Sequence, residues 1–333
     1  MSQYSFSISS SVVLAMLYVT SGCSNDTDTQ NVPLSPNANS VLSVLEQTQP
    51  TQFENPFSNV FDDARLTEVS GLQRSLLLDG IYYVNNDSGT DPLIYVSDFS
   101  GQVLGSMNII NAGSGDWEAL AGARHDGRNL LVIADTGNNA GQRKDLRLWV
   151  LEEPTLSKLE PGFELDLTAE RIALNYSDGL SYDAEALFVG GDNDTIVLLT
   201  KNNQKTSDQS IWTGSLSSGL IEGSLSLQFN GMVNLPSEEF TYTITGVDLH
   251  PNGREVAVLT YGALPGSGSI HLWISRDGEG TTDALLRPAD ETLSVPVIGL
   301  NLQAESVSYT TDGNALLVGA EGISRSTLTV VKR

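Results

Sequence analysis

A short strand motif recurs five times along this chain of 333 residues and constrains the fold more than any other feature. Each copy reads polar, variable, polar, small, aliphatic. The copies are Glu68–Leu72 (EVSGL), Asp116–Leu120 (DWEAL), Asp183–Leu187 (DAEAL), Thr243–Val247 (TITGV) and Gln303–Val307 (QAESV). Self-similarity at this spacing indicates a fold built from similar units packed side by side.

Each copy is followed by a turn and by two further apolar segments, which we interpret as strands. The turns contain Asp-Gly and Asn-Gly pairs typical of β-hairpins. The second strands are predicted at 81–86, 130–135, 196–201, 256–261 and 316–321, and the third strands at 93–96, 146–151, 210–213, 270–274 and 327–331. Segments 102–110 and 167–176 supply a fourth strand in the earlier units. Four antiparallel strands repeated around an axis form the blades of a β-propeller.

The predicted fold class is therefore all-β, a β-propeller with five blades of four antiparallel strands. Six blades are the alternative if one blade has diverged beyond recognition. The last unit ends after its third strand, so we expect the segment near 60–67 to supply the fourth strand and close the ring. Closure removes the exposed strand edges of an open repeat. The 31 glycines and the hydrophobic content of 40% suit many tight turns around a large core.

The N-terminus predicts export. An apolar run over residues 11–20, too short to span a bilayer, is followed by Ser21-Gly22-Cys23. This resembles a bacterial lipoprotein signal, although a buried segment with a chance cysteine would also explain it. We therefore predict a signal peptide over 1–22, lipidation of Cys23, a flexible polar tether over 23–56 and the propeller over 57–333. The resemblance implies an outer-membrane lipoprotein of a Gram-negative bacterium, facing the periplasm or the cell surface.

The charge of the chain bears on its partners. A formal net charge of −24 repels phosphate backbones and anionic lipids, so neither nucleic-acid binding nor membrane contact beyond the lipid anchor is expected. The acidic excess suits cation binding, and it also suits a strongly solvated surface. We expect a monomer whose ligand, or partner protein in the envelope, the sequence does not identify.

Two columns of polar residues are predicted to line the central channel. The third motif positions form one column, and the ends of the second strands form another. Together they suggest a calcium site, because Ca²⁺ takes about six to eight oxygen ligands. The candidate ligands are Asn86, Glu118, Asp135, Glu185, Glu305 and Glu321. Hydrogen bonds to the neighbouring blade would also explain the repeated glutamates, and Lys201 could neutralise them without a metal.

Five further residues are candidates for ligand binding. Lys201 and Tyr261 end second strands, and Asn138 and Asn139 belong to the loop Ala134–Ala140 (ADTGNNA), which is dense in hydrogen-bond acceptors. Asn, Asp and Gly are also ordinary turn residues. Trp117 could lie at the channel rim as a carbohydrate platform, although core packing explains it as well.

Common hydrolase signatures are missing from the sequence. It has no Gly-x-Ser-x-Gly elbow and no cysteine other than Cys23. The three histidines, His125, His250 and His271, lack the spacing of a metal site.

The motifs DWEAL (116–120), ADTGNN (134–139) and DAEAL (183–187) resemble exported bacterial propellers of the TolB-like group. They are more loosely similar to SdiA-regulated, esterase-like phytase and gluconolactonase/paraoxonase propellers. In the lactonase-type relatives, the resemblance implies an axial calcium held by Glu, Asn and Asp that polarises a substrate carbonyl. Two hypotheses follow. One is an envelope-tethered binding module, and the other is a calcium-dependent lactonase, esterase or phosphoesterase that uses axial carboxylates.

Overall fold

The repeated motif forms the innermost strand of each blade in a computed structural model of the protein. The structure describes Val41 and residues 58–156, 159–201, 209–236, 243–261, 267–296, 303–322 and 324–333. These residues belong to one compact unit, Ala38–Arg333. The prediction of an all-β propeller is confirmed.

The strands group into five four-stranded units, named blades 1 to 5 in chain order of their innermost strands. Blade 1 is β2 (Val69–Arg74), β3 (Ile81–Asn86), β4 (Leu93–Asp98) and β5 (Val103–Ile109). Blade 2 is β6 (Trp117–His125), β7 (Arg128–Asp135), β8 (Arg147–Glu152) and β10 (Glu170–Tyr176). Blade 3 is β11 (Ala184–Val189), β12 (Thr195–Thr200), β13 (Ser210–Ser215) and β14 (Ser224–Met232). Blade 4 is β15 (Thr243–Leu249), β16 (Glu255–Tyr261), β17 (Ser267–Ile274) and β18 (Glu291–Pro296), and blade 5 contains β19 (Ala304–Tyr309), β20 (Ala315–Ala320) and β21 (Thr327–Lys332). Two short helices, α1 (Leu216–Glu222) and α2 (Thr281–Ala284), connect outer strands of blades 3 and 4.

The ring closes through the first described strand, β1 (Ser58–Val60). This strand pairs antiparallel with β21 and becomes the fourth strand of blade 5, in register from Ser58 opposite Thr329 to Val60 opposite Thr327. The pairing lies just before the predicted segment 60–67. Each innermost strand contacts the innermost strands of the blades before and after it, and β19 of blade 5 contacts β2 of blade 1.

The hydrophobic core is divided among the interfaces between adjacent blades. Five clusters of buried residues fill the contacts 1–2, 2–3, 3–4, 4–5 and 5–1. Because both faces of the inner strands are covered, strands such as β3 and β20 are buried along their whole length, which explains their nearly continuous apolar sequences.

The segment that contains β9 and β10 links the outer edges of the first three blades. The chain leaves β8 and forms β9 (Phe163–Leu167), which pairs in parallel with β5 of blade 1. It then forms β10, which is antiparallel to β8 and parallel to β14 of blade 3. Blades 2 and 3 thereby share one eight-stranded sheet.

The predicted boundary between tether and propeller needs a correction. Val41 lies within the predicted tether over 23–56, yet it is fully buried in the core between blades 1 and 2 and donates a hydrogen bond to Leu159 O at 2.9 Å. Contacts with the propeller therefore begin before residue 57. The predicted signal peptide over 1–22 and Cys23 lie outside the described residues.

Candidate functional site

A β-bulge interrupts the innermost strand of every blade at the third position of the motif. In each blade one residue is skipped by the register with the second strand, and these residues are Ser70, Glu118, Glu185, Thr245 and Glu305. A bulge redirects the side chain of the extra residue. All five of these residues are buried. The polar column in the sequence is thus a ring of five bulges.

The two hydroxyl-bearing bulge residues connect adjacent blades. Ser70 Oγ donates to Glu118 O at 2.9 Å and lies 3.0 Å from Glu118 Oε2. Thr245 Oγ1 donates to Ala304 O at 2.7 Å. Bonds of this kind were the alternative explanation for the repeated glutamates, and here Ser70 and Thr245 make them. The three bulge glutamates present carboxyl groups instead.

Carboxyl groups from four blades converge at the end of the ring where the innermost strands begin. They border a cavity of about 140 Å³, which we call the acidic cup. The cavity is lined by Ser70, Asp87, Glu118, Asn139, Glu185, Lys201, Gln303, Glu305 and Glu321. Asp116 and Asp183 adjoin it: single carboxylate oxygens of Asp87, Asp116 and Glu118 lie within 4.8 Å of one another, as do those of Glu118, Asp183 and Glu185.

The cup has a buried floor and an accessible mouth. Ser70, Glu118, Glu185 and Glu305 are buried, whereas Asn139 and Gln303 are exposed. Asp87, Lys201 and Glu321 lie at intermediate depth. A ligand or ion can therefore reach the carboxylates from one side.

Several carboxyl groups of the cup have raised pKa values. Burial, followed by repulsion from Glu185, raises the pKa values of Glu118 and Glu305 well above their usual range. Burial raises the pKa of Glu185 to about 7 despite the neighbouring Lys201. Burial together with Asp87 raises the pKa of Asp116 to about 6. Single carboxylate oxygens of Glu118 and Glu185 lie within 4.8 Å of each other, which explains their mutual repulsion.

Lys201 carries the only ammonium group among the described residues that line the cup. Its Nζ lies 2.9 Å from Glu185 Oε1, and its pKa is raised because Glu185, Glu305 and Glu118 surround it. Two positive charges, Lys201 and the Arg143 guanidinium 3.9 Å from Asp116 Oδ2, oppose seven carboxyl groups: those of Asp87, Asp116, Glu118, Asp183, Glu185, Glu305 and Glu321. Without a bound cation, the group must therefore keep several protons.

One carboxylate oxygen at the cup has no partner. Asp183 is fully buried, and its Oδ1 accepts a hydrogen bond from Asn138 N at 2.5 Å. Its Oδ2 is also buried and receives no hydrogen bond. A buried, unpaired acceptor costs free energy, on the order of 1–3 kcal/mol in proteins. Asp183 also belongs to the close carboxylate group with Glu118 and Glu185.

Beyond the cup, the channel is bridged by an ion pair. Arg74 ends β2 in blade 1, and its Nη1 lies 2.5 Å from Asp248 Oδ2 on β15 in blade 4. The same oxygen accepts from Tyr309 N at 2.8 Å and from Ser308 Oγ at 3.0 Å in blade 5. Because blades 1 and 4 are not adjacent, this network ties the ring together across its axis.

In the column formed by the ends of the second strands, the residues predicted for blades 1 and 2 lie one position too early in the chain. Lys201 and Glu321 follow directly after β12 and β20 and line the cup, as predicted. Asn86 and Asp135 are instead the last residues of β3 and β7, one position earlier than Lys201 and Glu321 in their blades. A shift of one residue along a strand turns the side chain to the opposite face of the sheet. Asn86 donates to Arg65 O, and buried Asp135 pairs with Arg143 and Arg147. Neither residue lines the cup.

Three of the predicted ligand-binding residues also need correction. Trp117 is buried in the core between blades 1 and 2 and does not lie at a rim. Asn138 is buried, and its side chain bonds to Ser181 Oγ and to the backbone of Gln142 and Arg143. Tyr261 pairs in register with Thr243 and does not line the cup. Asn139 does line it.

Four cup residues were missed by the sequence interpretation. Asp116, Asp183 and Gln303 occupy the first motif position in blades 2, 3 and 5, two residues before a bulge glutamate. The period of two along a strand was the signal that could have identified them. Asp87 is the residue after Asn86 and corresponds in position to Lys201 and Glu321.

A larger depression, about 720 Å³, lies between blades 3 and 4 away from the cup. It is lined mainly by turn residues and by the segment before α2, and its Arg254 pairs with Asp277 at 2.9 Å. Neither of the two close carboxylate groups lies there. We therefore assign the candidate site to the acidic cup.

Fold and site together define a β-propeller with a buried acidic cup on its axis. Two solved structures are similar at a low level. The C-terminal WD40 domain of Sif2 is 13% identical with a TM-score of 0.33, and the match covers 80% of this chain but only 59% of that one. Hydrazine synthase from Kuenenia stuttgartiensis is 14% identical with a TM-score of 0.37, covering 79% and 76% of the two chains. No protein-family model and no curated protein matches the sequence. Similarity at this level does not indicate a function for this chain.

Proposed function

We propose that this protein binds a calcium ion in the acidic cup and uses the cup face as a ligand- or protein-binding surface. The observation that carries the proposal is the convergence of the buried carboxylates of Glu118, Asp183 and Glu185, together with the buried, unpaired Oδ2 of Asp183. Several like charges in a buried site repel one another, and a divalent cation removes that repulsion.

The chemistry of the donors favours calcium among the common metal ions. The two close groups consist of carboxylates alone, with neither histidine nor cysteine. Oxygen ligands suit Ca²⁺ and Mg²⁺, whereas Zn²⁺ prefers nitrogen and sulfur. Calcium accepts many ligands in irregular geometry, as side chains on three separate blades would supply, whereas magnesium demands a strict octahedron.

The cellular setting is part of the same proposal. Residues 1–22 act as a lipoprotein signal, and Cys23 anchors a monomeric propeller to the outer membrane of a Gram-negative bacterium. Among the described residues, no helix is both long and apolar enough to cross a membrane. The mouth of the cup, with Asn139, Lys201 and Glu321, would then face an unidentified envelope protein or small ligand.

Calcium binding is expected to depend on the bulge glutamates. In calorimetric titration of the Cys23→Ser chain with calcium chloride at pH 8, Glu118→Gln and Glu185→Gln should each lower affinity by about tenfold or more, because each removes one charged oxygen ligand. Asp277→Asn serves as the control, since Asp277 is exposed and lies outside the cup. Absence of calcium binding by the parent chain, or equal affinities in all variants, would refute the site.

A calcium-dependent hydrolase is the second candidate, favoured by the proton affinities of the cup. General bases work best with pKa values near the working pH, and those of Glu185 and Asp116 are raised to about 7 and about 6. A calcium ion would act as Lewis acid on a lactone, ester or phosphoester at the mouth. A panel of such substrates with calcium, compared between the parent chain and Glu185→Gln, tests this candidate. Turnover that survives Glu185→Gln would argue against it.

A further inference from the structure

The loop over residues 135–143 touches carboxyl groups of two blades without lining much of the cup itself. Asp135 Oδ1 accepts a hydrogen bond from Asp116 N at 3.0 Å, and Gly137 N donates to Asp116 O at 3.1 Å. Asn138 N donates to Asp183 Oδ1 at 2.5 Å. These bonds hold the backbone of Asp116 in blade 2 and the carboxylate of Asp183 in blade 3.

The same loop also packs directly on Glu118. A Cβ atom added at Gly137 would lie 2.1 Å from Glu118 Oε1 and 2.4 Å from Asp116 Oδ2. Only glycine permits an approach this close. The backbone of Gly137 thus presses against two carboxylates of the cup and limits the positions that they can adopt.

Arg143 holds this loop in place. Its Nη1 donates to Gly137 O at 2.7 Å, and its Nη2 donates to Asp135 Oδ1 at 2.7 Å. Its backbone is fixed as well, since Arg143 N donates to Asn138 Oδ1 and Arg143 O accepts from Ser181 Oγ. Its nearest contact with a cup carboxylate is Asp116 Oδ2 at 3.9 Å. Arg143 therefore acts on the cup mainly through the loop.

We infer that Arg143 is the positioning residue of the proposed calcium site: by clamping Gly137 and Asp135, it sets the placement of Asp116, Glu118 and Asp183 and hence the affinity for the ion. The inference rests on the proposed function. Groups that orient metal ligands without binding the metal typically change metal affinity by about 10- to 100-fold when they are removed.

Arg147 provides a matched comparison. Its Nε lies 2.6 Å from Asp135 Oδ2, so it binds the same buried carboxylate as Arg143. In the described part of the chain, the Arg147 side chain bonds to Asp135 and Asp145 but not to the carbonyl of Gly137. Replacing either arginine removes one charge and one partner of Asp135, but only Arg143→Gln also releases Gly137.

The test is calcium titration of the Cys23→Ser chain and of its Arg143→Gln, Arg143→Lys and Arg147→Gln variants, with the melting temperature of each metal-free variant measured in parallel. We expect Arg143→Gln to lose about 10-fold or more in affinity and Arg143→Lys to recover part of the loss, because an ammonium can keep one of the two bonds. Arg147→Gln should lose at most about threefold, in contrast to the larger effect typical of residues that orient ligands.

The titrations distinguish a failure of the proposed calcium site from a failure of the role assigned to Arg143. If the parent chain binds no calcium, the proposed function fails and this inference fails with it. If the parent chain binds calcium and Arg143→Gln loses no more affinity than Arg147→Gln, only the role of Arg143 is overturned. Gly137→Ala keeps every charge and donor and tests the loop separately, should Arg143→Gln not fold. Unchanged calcium affinity in Gly137→Ala would also overturn the inference.

Discussion

Without metal, the protein is expected to lose thermal stability as the pH rises from about 5 to about 8, and calcium is expected to restore it at pH 8. Glu185 has an ordinary pKa of 4.5, and burial raises this to about 7 in the folded protein. Between these values the folded state holds a proton that the unfolded state has released. Stability therefore falls with rising pH in this window, by on the order of 3 kcal/mol for this group alone.

Other titrating groups reinforce this prediction or lie outside its window. Glu118 and Glu305 have pKa values raised by the same burial, so they act in the same direction. Several aspartates have lowered pKa values, among them Asp63, Asp145, Asp192 and Asp312. Their contributions to stability are already complete above about pH 5. Lys201 has a raised pKa, so its contribution is lost only at strongly alkaline pH.

Melting temperatures measured at pH 5, 6, 7 and 8, with a chelator and with calcium, check the prediction. Calcium should stabilise the protein strongly at pH 8 and little at pH 5, because protons then occupy its ligands. Glu185→Gln stays neutral at every pH, so the metal-free variant should lose less stability toward pH 8 and respond less to calcium. A metal-free parent chain that is more stable at pH 8 than at pH 5 would contradict this account.

Breaking the Arg74–Asp248 pair is expected to destabilise the ring by about 3–5 kcal/mol. Both side chains are largely buried, and Asp248 Oδ2 also accepts bonds from Ser308 and Tyr309 of blade 5. Arg74→Met leaves the Asp248 carboxylate buried without its counter-charge, and the burial that already raises the pKa of Asp248 is then uncompensated. Chemical denaturation of Arg74→Met against the parent chain measures the loss.

The exposed pair Arg254–Asp277 is the control for this experiment. Its nitrogen–oxygen distance is 2.9 Å, but both side chains are open to solvent, so Arg254→Met should cost about 1 kcal/mol or less. The double variant Arg74→Met/Asp248→Leu should recover part of the stability, because it removes the unpaired charge. Equal effects of Arg74→Met and Arg254→Met would show that the axial pair does not hold the ring together.

The bulges link the fold of this protein to its proposed chemistry. Ser70 and Thr245 use the bulge to bond the next blade, while Glu118, Glu185 and Glu305 use the same backbone position to present carboxylates to the axis. A repeated structural device can therefore carry different chemistry in different blades. The β9–β10 segment joins the outer edges of blades 1 to 3, the blades that supply Asp87, Asp116, Glu118, Asp183 and Glu185.

The blades themselves followed from local patterns in the sequence. Inner, second and third strands were predicted near their observed positions, because alternation, β-branched residues and Asn-Gly or Asp-Gly turns act over a few residues. The repeat then indicated a closed ring. Closure through β1 and β21 was anticipated for the same reason, since an unpaired fourth strand would leave an open edge.

The site was only partly accessible to this reasoning. Aligned columns identified five residues that border the cup: Glu118, Glu185, Lys201, Glu305 and Glu321. Asn139 also borders it and was identified from its loop. Asn86 and Asp135 were misplaced because strand ends are hard to locate to one residue, and one residue decides the face. The burial of Trp117 could not be predicted either, because it depends on how blades 1 and 2 pack against each other.

The sequence by itself determined the class of fold and the partly acidic column at the third motif position, because both follow from short patterns that repeat along the chain. Tertiary structure alone decided that Asp87, Asp116 and Asp183 join the cup, that Arg143 clamps the loop and that Arg74 reaches Asp248 across the axis. The contacts of the cup and of Arg74 join residues from different blades, and those of Arg143 depend on the path of one irregular loop. Their geometry depends on how the blades pack around the axis, which no local pattern encodes.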